Sequence, residues 1–383
     1  MKRGLLLSLL LVLTLAMAVN SWAAASCSTS TCENCVPITF ETNISYNPEL
    51  STTNTFNPLY NTLDYLKPYT DIRMDSVAVD GLARHGVMFV TGAKIIANQF
   101  DYSGNPYRDP PTVINTGRGH NVAFDPYVAE GPTSGVAGAT PADMVAAYSN
   151  RNLNSINYNR ERGSTTEPSV FELSFPFATN EFYFWERGTD SIINIEFLDE
   201  SGAIVANASL CHKQYADAGY TIFTDTGFPG WSYGAPGVAG QKCSSIGVRL
   251  AEGLMAKTLR FKIHQPADFG PDLKVLAAPV TPASASVLIQ EAMSLLASLS
   301  DDAFKNHGQR NSLMVHLNTA NMMIVKGQYH SAASLLDSAV LPKIGSCDSP
   351  VKNASVGCPT SLMQRNYLVT IDNLLFEAVD LLK

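Results

Sequence analysis

"FYFWERGTDSIINIEFLDESGAIV", residues 182–205, sets four aromatics in a row, then an acid, a base and a glycine, then an alternating strand and a tight turn. An apolar strand that ends in Glu186-Arg187-Gly188 is either the lip of an active site or the rim of a β-sandwich. Strand alternation places Phe182, Phe184 and Glu186 on one face and Tyr183, Trp185 and Arg187 on the other. Both faces stay apolar until the last two positions, which marks a central strand. Glu186 and Arg187 point oppositely and cannot pair with each other. Each needs a partner elsewhere, because an unpaired buried charge is costly. Arg249 and Lys274 are the expected partners for Glu186, in a structural ion pair at the strand end. The competing reading makes Trp185 a platform at a glycan-binding rim.

The neighbouring sequence extends the β reading. In "VFELSFPF" Phe171, Leu173, Phe175 and Phe177 share a face, with Glu172 and Ser174 opposite. In "SIINIEFL" Ile193, Ile195 and Phe197 do the same. "DESG" turns the chain into "AIVANASL", and "GYTIFTD", "SSIGVRL" and "KTLRFKIHQ" follow. Strands at this spacing without intervening helices predict an antiparallel β-sandwich, jelly-roll-like. Upstream, "VPITFETNISY" reads as one strand and "GVMFVTGAKIIA" as a strand pair. Residues 100–163 read as short strands joined by long loops. One short helix is expected after Thr140, with Pro141 in its first turn.

The texture changes at "AAPVTPASAS", a linker in which Thr281 and Pro282 suit an N-cap and a first helical residue. Beyond it, Leu288, Ala292, Leu295 and Leu299 share a helical face, as do Leu313, Leu317, Ala320 and Ile324. Gly327 suits a left-handed cap. Ala332, Leu335, Leu336 and Ala339 mark a further helix, and Leu368, Ile371, Leu375, Ala378 and Leu382 the last. Short connections predict a small antiparallel bundle. The fold is therefore mainly β with α. The expected division is a signal peptide at 1–25, a β-sandwich with long loops at 26–278, a linker at 279–286 and a helical bundle at 287–383.

The 383 residues are 45% hydrophobic and 16% charged, with a net charge of −8. That balance excludes disorder and argues against nucleic-acid or anionic-membrane partners. Lys2 and Arg3, the apolar run Leu5 to Val19, and Ala23-Ala24-Ala25 have the form of a secretory signal cleaved after Ala25. No later stretch is apolar enough to span a membrane. Secretion follows, to the cell surface or beyond it. Seven cysteines then invite pairing. The expected bridges are Cys32–Cys35, Cys211–Cys243 and Cys347–Cys358. Cys27 is left over, and lipid anchoring there is the minority alternative to a free thiol. Structural bridging is favoured over redox chemistry at Cys32–Cys35, since no helix follows to lower a thiol pKa.

Two resemblances add to this. "FYFWERG", "IEFLDESGAIV", "SIGVRLAEGL" and "FGPDLKVLA" make residues 169–278 resemble the bacterial exosortase-dependent surface proteins. The resemblance implies a secreted or surface-displayed β-sandwich in a bacterial, Gram-negative setting. The chain ends "EAVDLLK", unlike the Pro-Glu-Pro sorting tail of that family. "FKNHGQRNSLMVHLNTA", "KGQYHSAASLL" and "LPKIGSC" make the C-terminal part similar to a helical module of secreted bacterial proteins.

Chemistry is harder to find. No nucleophile elbow, phosphate loop or His-Glu-x-x-His occurs, and the seven histidines are scattered. Glu172, Glu186 and Glu196 lie on different strands, without the paired spacing of a glycosidase. In "FDYSGN", Asp101, Ser103 and Asn105 alternate as calcium ligands can, but a plain turn is the preferred reading. No other cofactor is expected. Trp231 and Tyr233, in "GFPGWSYG", are the expected exposed stacking groups, ahead of Trp185. These readings add up to a non-catalytic surface or matrix protein whose partners are glycans or other surface proteins. A carbohydrate-binding module is the alternative, and a glycan-degrading enzyme a more distant one.

Overall fold

In the computed structural model, the described residues are 30–46, 72–97, 114–116, 140–151, 153, 157–159, 169–187, 192–211, 224–230, 241–263, 272–304, 307–344 and 362–383. The alternating segments form two facing antiparallel sheets. The first has six strands: β1 (Thr31–Glu33), β12 (Ile204–Cys211), β11 (Ile192–Leu198), β15 (Ala256–Ile263), β9 (Ser169–Thr179) and β6 (Gly92–Ala97), in that spatial order. The second has seven. Its path runs β13 (Thr224–Gly230), β14 (Gln241–Leu250), β10 (Glu181–Arg187), β16 (Asp272–Ala277), β8 (Asn157–Asn159) and β7 (Ile114–Thr116), with β2 (Cys35–Ile38) also paired to β14.

The expected inward faces meet between the sheets. Phe182 packs against Phe175 and Phe197 at centroid distances of 5.7 and 5.2 Å, and Phe171 stacks on Phe261 at 4.8 Å. Phe171, Leu173, Phe175, Ile193, Ile195 and Phe197 are all buried. The predicted turn closes as a side-chain cap. Asp199 accepts from the Ser201 and Ala203 amides, and Gly202 takes the left-handed conformation (φ 85°).

A third layer explains the opening stretch. β3 (Phe40–Tyr46), β4 (Ile72–Val79) and β5 (Leu82–Arg84) form a small sheet. Phe40, Met74, Val77 and Val79 from it pack with Tyr183, Trp185 and Leu276 in one apolar cluster. β10 therefore lies between two apolar layers, which is why consecutive residues on it are aromatic. "VPITFETNISY" is accordingly two strands rather than one. β2 completes the second sheet, and after Thr39 the chain changes partner so that β3 covers Trp185. The first half of "GVMFVTGAKIIA" is likewise no strand: Met88 makes an isolated bridge to Ala277, and only 92–97 is a strand, β6.

The short helix α1 (Pro141–Tyr148) forms where Pro141 predicts it. The C-terminal helices are α2 (Ala285–Ser298), α3 (His307–Val325), α4 (Tyr329–Leu335), prolonged by a wider turn to Val340, and α5 (Leu362–Leu382). Thr281 caps a 3-10 turn that leads into α2, with reciprocal Thr281–Ser284 bonds. α2 packs on α5 and α3, α3 on α4, and α4 on α5, around one core. Gly327 (φ 70°) ends α3 as its position predicts.

The helices and the β-layers are joined through polar groups. Arg151 is buried and forks onto Glu291 of α2, with Nη2 to Glu291 Oε2 at 2.9 Å, while also donating to the His85 and Met74 carbonyls. Glu377 of α5 accepts from the backbone amides of His85 and Gly86. Burial pushes the Glu377 carboxyl above its usual range, against the opposing pull of those two amides.

Candidate functional site

The inward positions are filled with apolar side chains, so polar groups collect on the outer face of the six-stranded sheet. Register places one residue per strand in a single row across it: Glu33, Asn207, Glu196, Arg260, Glu172 and Lys94. Arg260 Nε donates to Glu172 Oε1 at 2.8 Å and Nη1 to Glu196 Oε2 at 3.1 Å. Lys262 also donates to Glu196, and Asn207 Nδ2 donates to Glu33 Oε2 at 3.3 Å. The hydrogen bond to Glu172 is the largest influence on the Arg260 guanidinium and raises its pKa. Partial burial opposes that rise and Glu196 adds to it. Such cross-strand pairs contribute roughly 0.2–1 kcal/mol each.

One row further along, Thr31, Ser209, Asn194 and Lys262 stand opposite one another on β1, β12, β11 and β15. Glu33, Asn207 and Glu196 of the first row and all four residues of the second line a shallow depression of about 380 Å³ near the β1 edge of the sheet. Within it the acids Glu33 and Glu196 and the Asn207 amide already have partners. The side chains of Thr31, Asn194 and Ser209 make no hydrogen bond within the protein among the described residues, and face solvent across three adjacent strands.

The β1 wall of this depression is tied down by the Cys32–Cys35 disulfide, whose Cα atoms are 5.3 Å apart. Asn34 between them takes a left-handed conformation (φ 58°), its side chain donating to the Val205 carbonyl. The bridge joins β1 of one sheet to β2 of the other, a structural task.

Trp185 is buried to 1% exposure, with its indole N–H on Thr42 Oγ1 at 2.9 Å. It is therefore no glycan platform: the β3–β5 layer covers the face a sugar would need. Glu186 is buried on the opposite face, among the side chains between the sheets. The expected partners for it need correcting. Arg249 Nε donates to Glu181 Oε2 at 2.8 Å, because residues 181 and 249 are the ones in register. Lys274 stands opposite Trp185, on the far side of the strand from Glu186, and donates to Asn150 Oδ1 at 3.1 Å. Burial lowers the Lys274 ammonium well below its usual range. Glu181, unremarked in the sequence, is the better-connected acid. It accepts from the Tyr183 hydroxyl and pairs with both Arg249 and Arg84. Burial, reinforced by Glu181, pushes the Tyr183 phenol well above its usual value.

No protein-family model matches the chain, and no curated protein matches it in sequence.

Cys211 is disulfide-bonded. The Cys243 side chain, the Arg187 side chain, Cys27, Cys347 and Cys358 lie outside what is described, as do Trp231, Tyr233 and the calcium reading of Asp101, Ser103 and Asn105. Among the described residues no three His, Cys, Asp or Glu side chains are grouped to hold a metal ion, and no helix is long and apolar enough to cross a membrane. The depression was missed in the sequence. Its signal was the polar half of the alternation, Asn194 and Glu196 between Ile193, Ile195 and Phe197, and Asn207 and Ser209 in "AIVANASL".

Proposed function

We propose that this chain is a non-catalytic protein of the bacterial cell surface or extracellular matrix, with a binding or structural role. The observation that carries the reading is the outer face of the six-stranded sheet. Its charged groups hold one another across strands, and Glu172 and Glu196 are each bound by a base. Carboxylates clamped in this way are poorly placed to exchange protons with a substrate. What stays open is a set of hydroxyl and amide groups, which suits recognition. The signal-like N-terminus, the resemblance of residues 169–278 to surface-displayed sandwiches, and bonded cysteines supported by an oxidising compartment all agree with export. The test is to express the full chain in a Gram-negative host, locate it by fractionation, and incubate the purified protein with polysaccharides. Surface or medium localisation with no release of reducing ends is expected; retention in the cytoplasm or turnover of a polysaccharide refutes the reading.

A second reading, a carbohydrate-binding module, is favoured specifically by the unengaged polar row in the depression.

A further inference from the structure

We infer that the depression on the outer face of the six-stranded sheet binds a neutral, hydroxyl-rich glycan chain through Thr31, Ser209 and Asn194. The inference rests on the reading of this face as a non-catalytic binding surface. It relies on hydroxyl and amide groups and uses no aromatic stacking.

Charge selects the class of ligand. The charged residues lining the depression are Glu33, Glu196 and Lys262, and Arg260, Glu172 and Lys94 continue the first row beyond it, so that along the face as a whole three acids meet three bases and the formal charges cancel. Five of the six already contact a polar partner on the same face. A polyanion or polycation would gain little from such a surface and would have to break existing pairs. A neutral polyol needs the opposite: donors and acceptors held in place and not already engaged.

Geometry supplies them. Thr31 and Ser209 carry hydroxyls that both donate and accept, and the Asn194 amide offers both functions side by side. They sit on three neighbouring strands in direct register, so they repeat at the strand spacing of about 4.8 Å. A chain of hydroxylated rings laid across the strands meets one such group after another. Each group is set on a sheet, a rigid element, so little ordering is left to binding. The walls help to fix the row. Glu196 is held by Arg260 and Lys262, Asn207 by Glu33, and β1 by its disulfide.

The test uses the purified full-length mature chain with dextran, mixed-linkage β-glucan and galactomannan, in affinity electrophoresis followed by calorimetry. Reducing ends are measured in the same samples. At least one of the three should retard the protein, equally between roughly 0.05 and 0.5 M salt. The double variant N194A/S209A, altered only at solvent-facing positions, should lower the affinity about tenfold or more. Trp231→Ala should leave it unchanged. Retardation by none of the three neutral polymers, binding that survives N194A/S209A, or binding that collapses with salt overturns the inference. Release of reducing ends instead overturns the non-catalytic reading, whatever the binding result, so the two failures are told apart.

Discussion

Trp185 shows how much one side chain can decide. Its ring packs edge-on against Phe40 at 5.2 Å and its N–H has a single fitted acceptor in Thr42. Truncation to alanine should cost about 3–5 kcal/mol, the range for large buried aromatics. The more telling pair is smaller. Thr42→Val strands a buried indole N–H and should cost about 1–3 kcal/mol, whereas W185F in that background should recover part of the loss by removing the donor. Chemical denaturation of the four proteins in a double-mutant cycle measures this; simple additivity would refute the coupling. Lys274 supplies a pH signature. Its ammonium is depressed by burial, so the unfolded chain holds its proton to higher pH than the folded one. Stability of the wild type should therefore rise with pH from the depressed value up to about 10.4, where the unfolded lysine titrates. Lys274→Met should remove that rise, leaving a flatter profile of denaturation midpoint against pH.

At the scale of elements, β1 is the weakest strand of its sheet. It has only three residues and one neighbour, β12, so its pairing alone cannot hold it. The Cys32–Cys35 bridge and the left-handed Asn34 pin it to β2. Replacing both cysteines by serine should leave the global melting point nearly unchanged, since the loop is short. It should sharply raise amide exchange at residues 31–33 and 207–209; unchanged protection there would show that the bridge is not what keeps β1 in place. Legibility in the sequence has its limits at this same scale. The inward faces of β9 and β11 could be read directly, because Phe171, Leu173, Ile193 and Ile195 follow a period of two. That β10 is covered on both faces was also readable from its run of aromatics. What covers it was not. β3 and β4 lie more than 100 residues earlier, and alternation says nothing about the partner a strand chooses. The polar row failed for the same reason. Glu196, Asn207 and Glu33 are ordinary outward residues on their own strands. They become neighbours only through a register set by the "DESG" turn and an irregularity at Phe197 and Leu198.

At the scale of the whole molecule the question is whether the helices and β-layers act as one body. Gly86 is a tight point between them. A Cβ there would lie 2.5 Å from Leu288 Cδ2 and 2.7 Å from Glu377 Oε2. Leu288 belongs to the helical core, and Glu377 must stay close enough to accept both the His85 and Gly86 amides. Gly86→Ala therefore has to push one or both away, so it attacks the join at the point where the helical core meets it. Arg151 tests the same join from the charged side. Arg151→Met leaves Glu291 without its fork and the His85 carbonyl without its guanidinium donor, a loss of about 3–5 kcal/mol for a broken buried pair. If the join makes the molecule cooperative, the wild type should unfold in a single calorimetric transition. G86A and R151M should each split it in two, with the β-layers and the helices melting apart. The pH dependence should follow Glu377, whose carboxyl is raised by burial. A raised acid is protonated more readily in the folded state, so its contribution should grow as pH falls from that raised value to about 4.3 and level off below. Any split in G86A should accordingly be narrowest in mild acid, where protonated Glu377 favours the join most, and widest near neutral pH, where the join carries a buried negative charge. A wild type that already melts in two steps, or a G86A protein that still melts in one, would mean that the contact is incidental and the two parts are merely tethered.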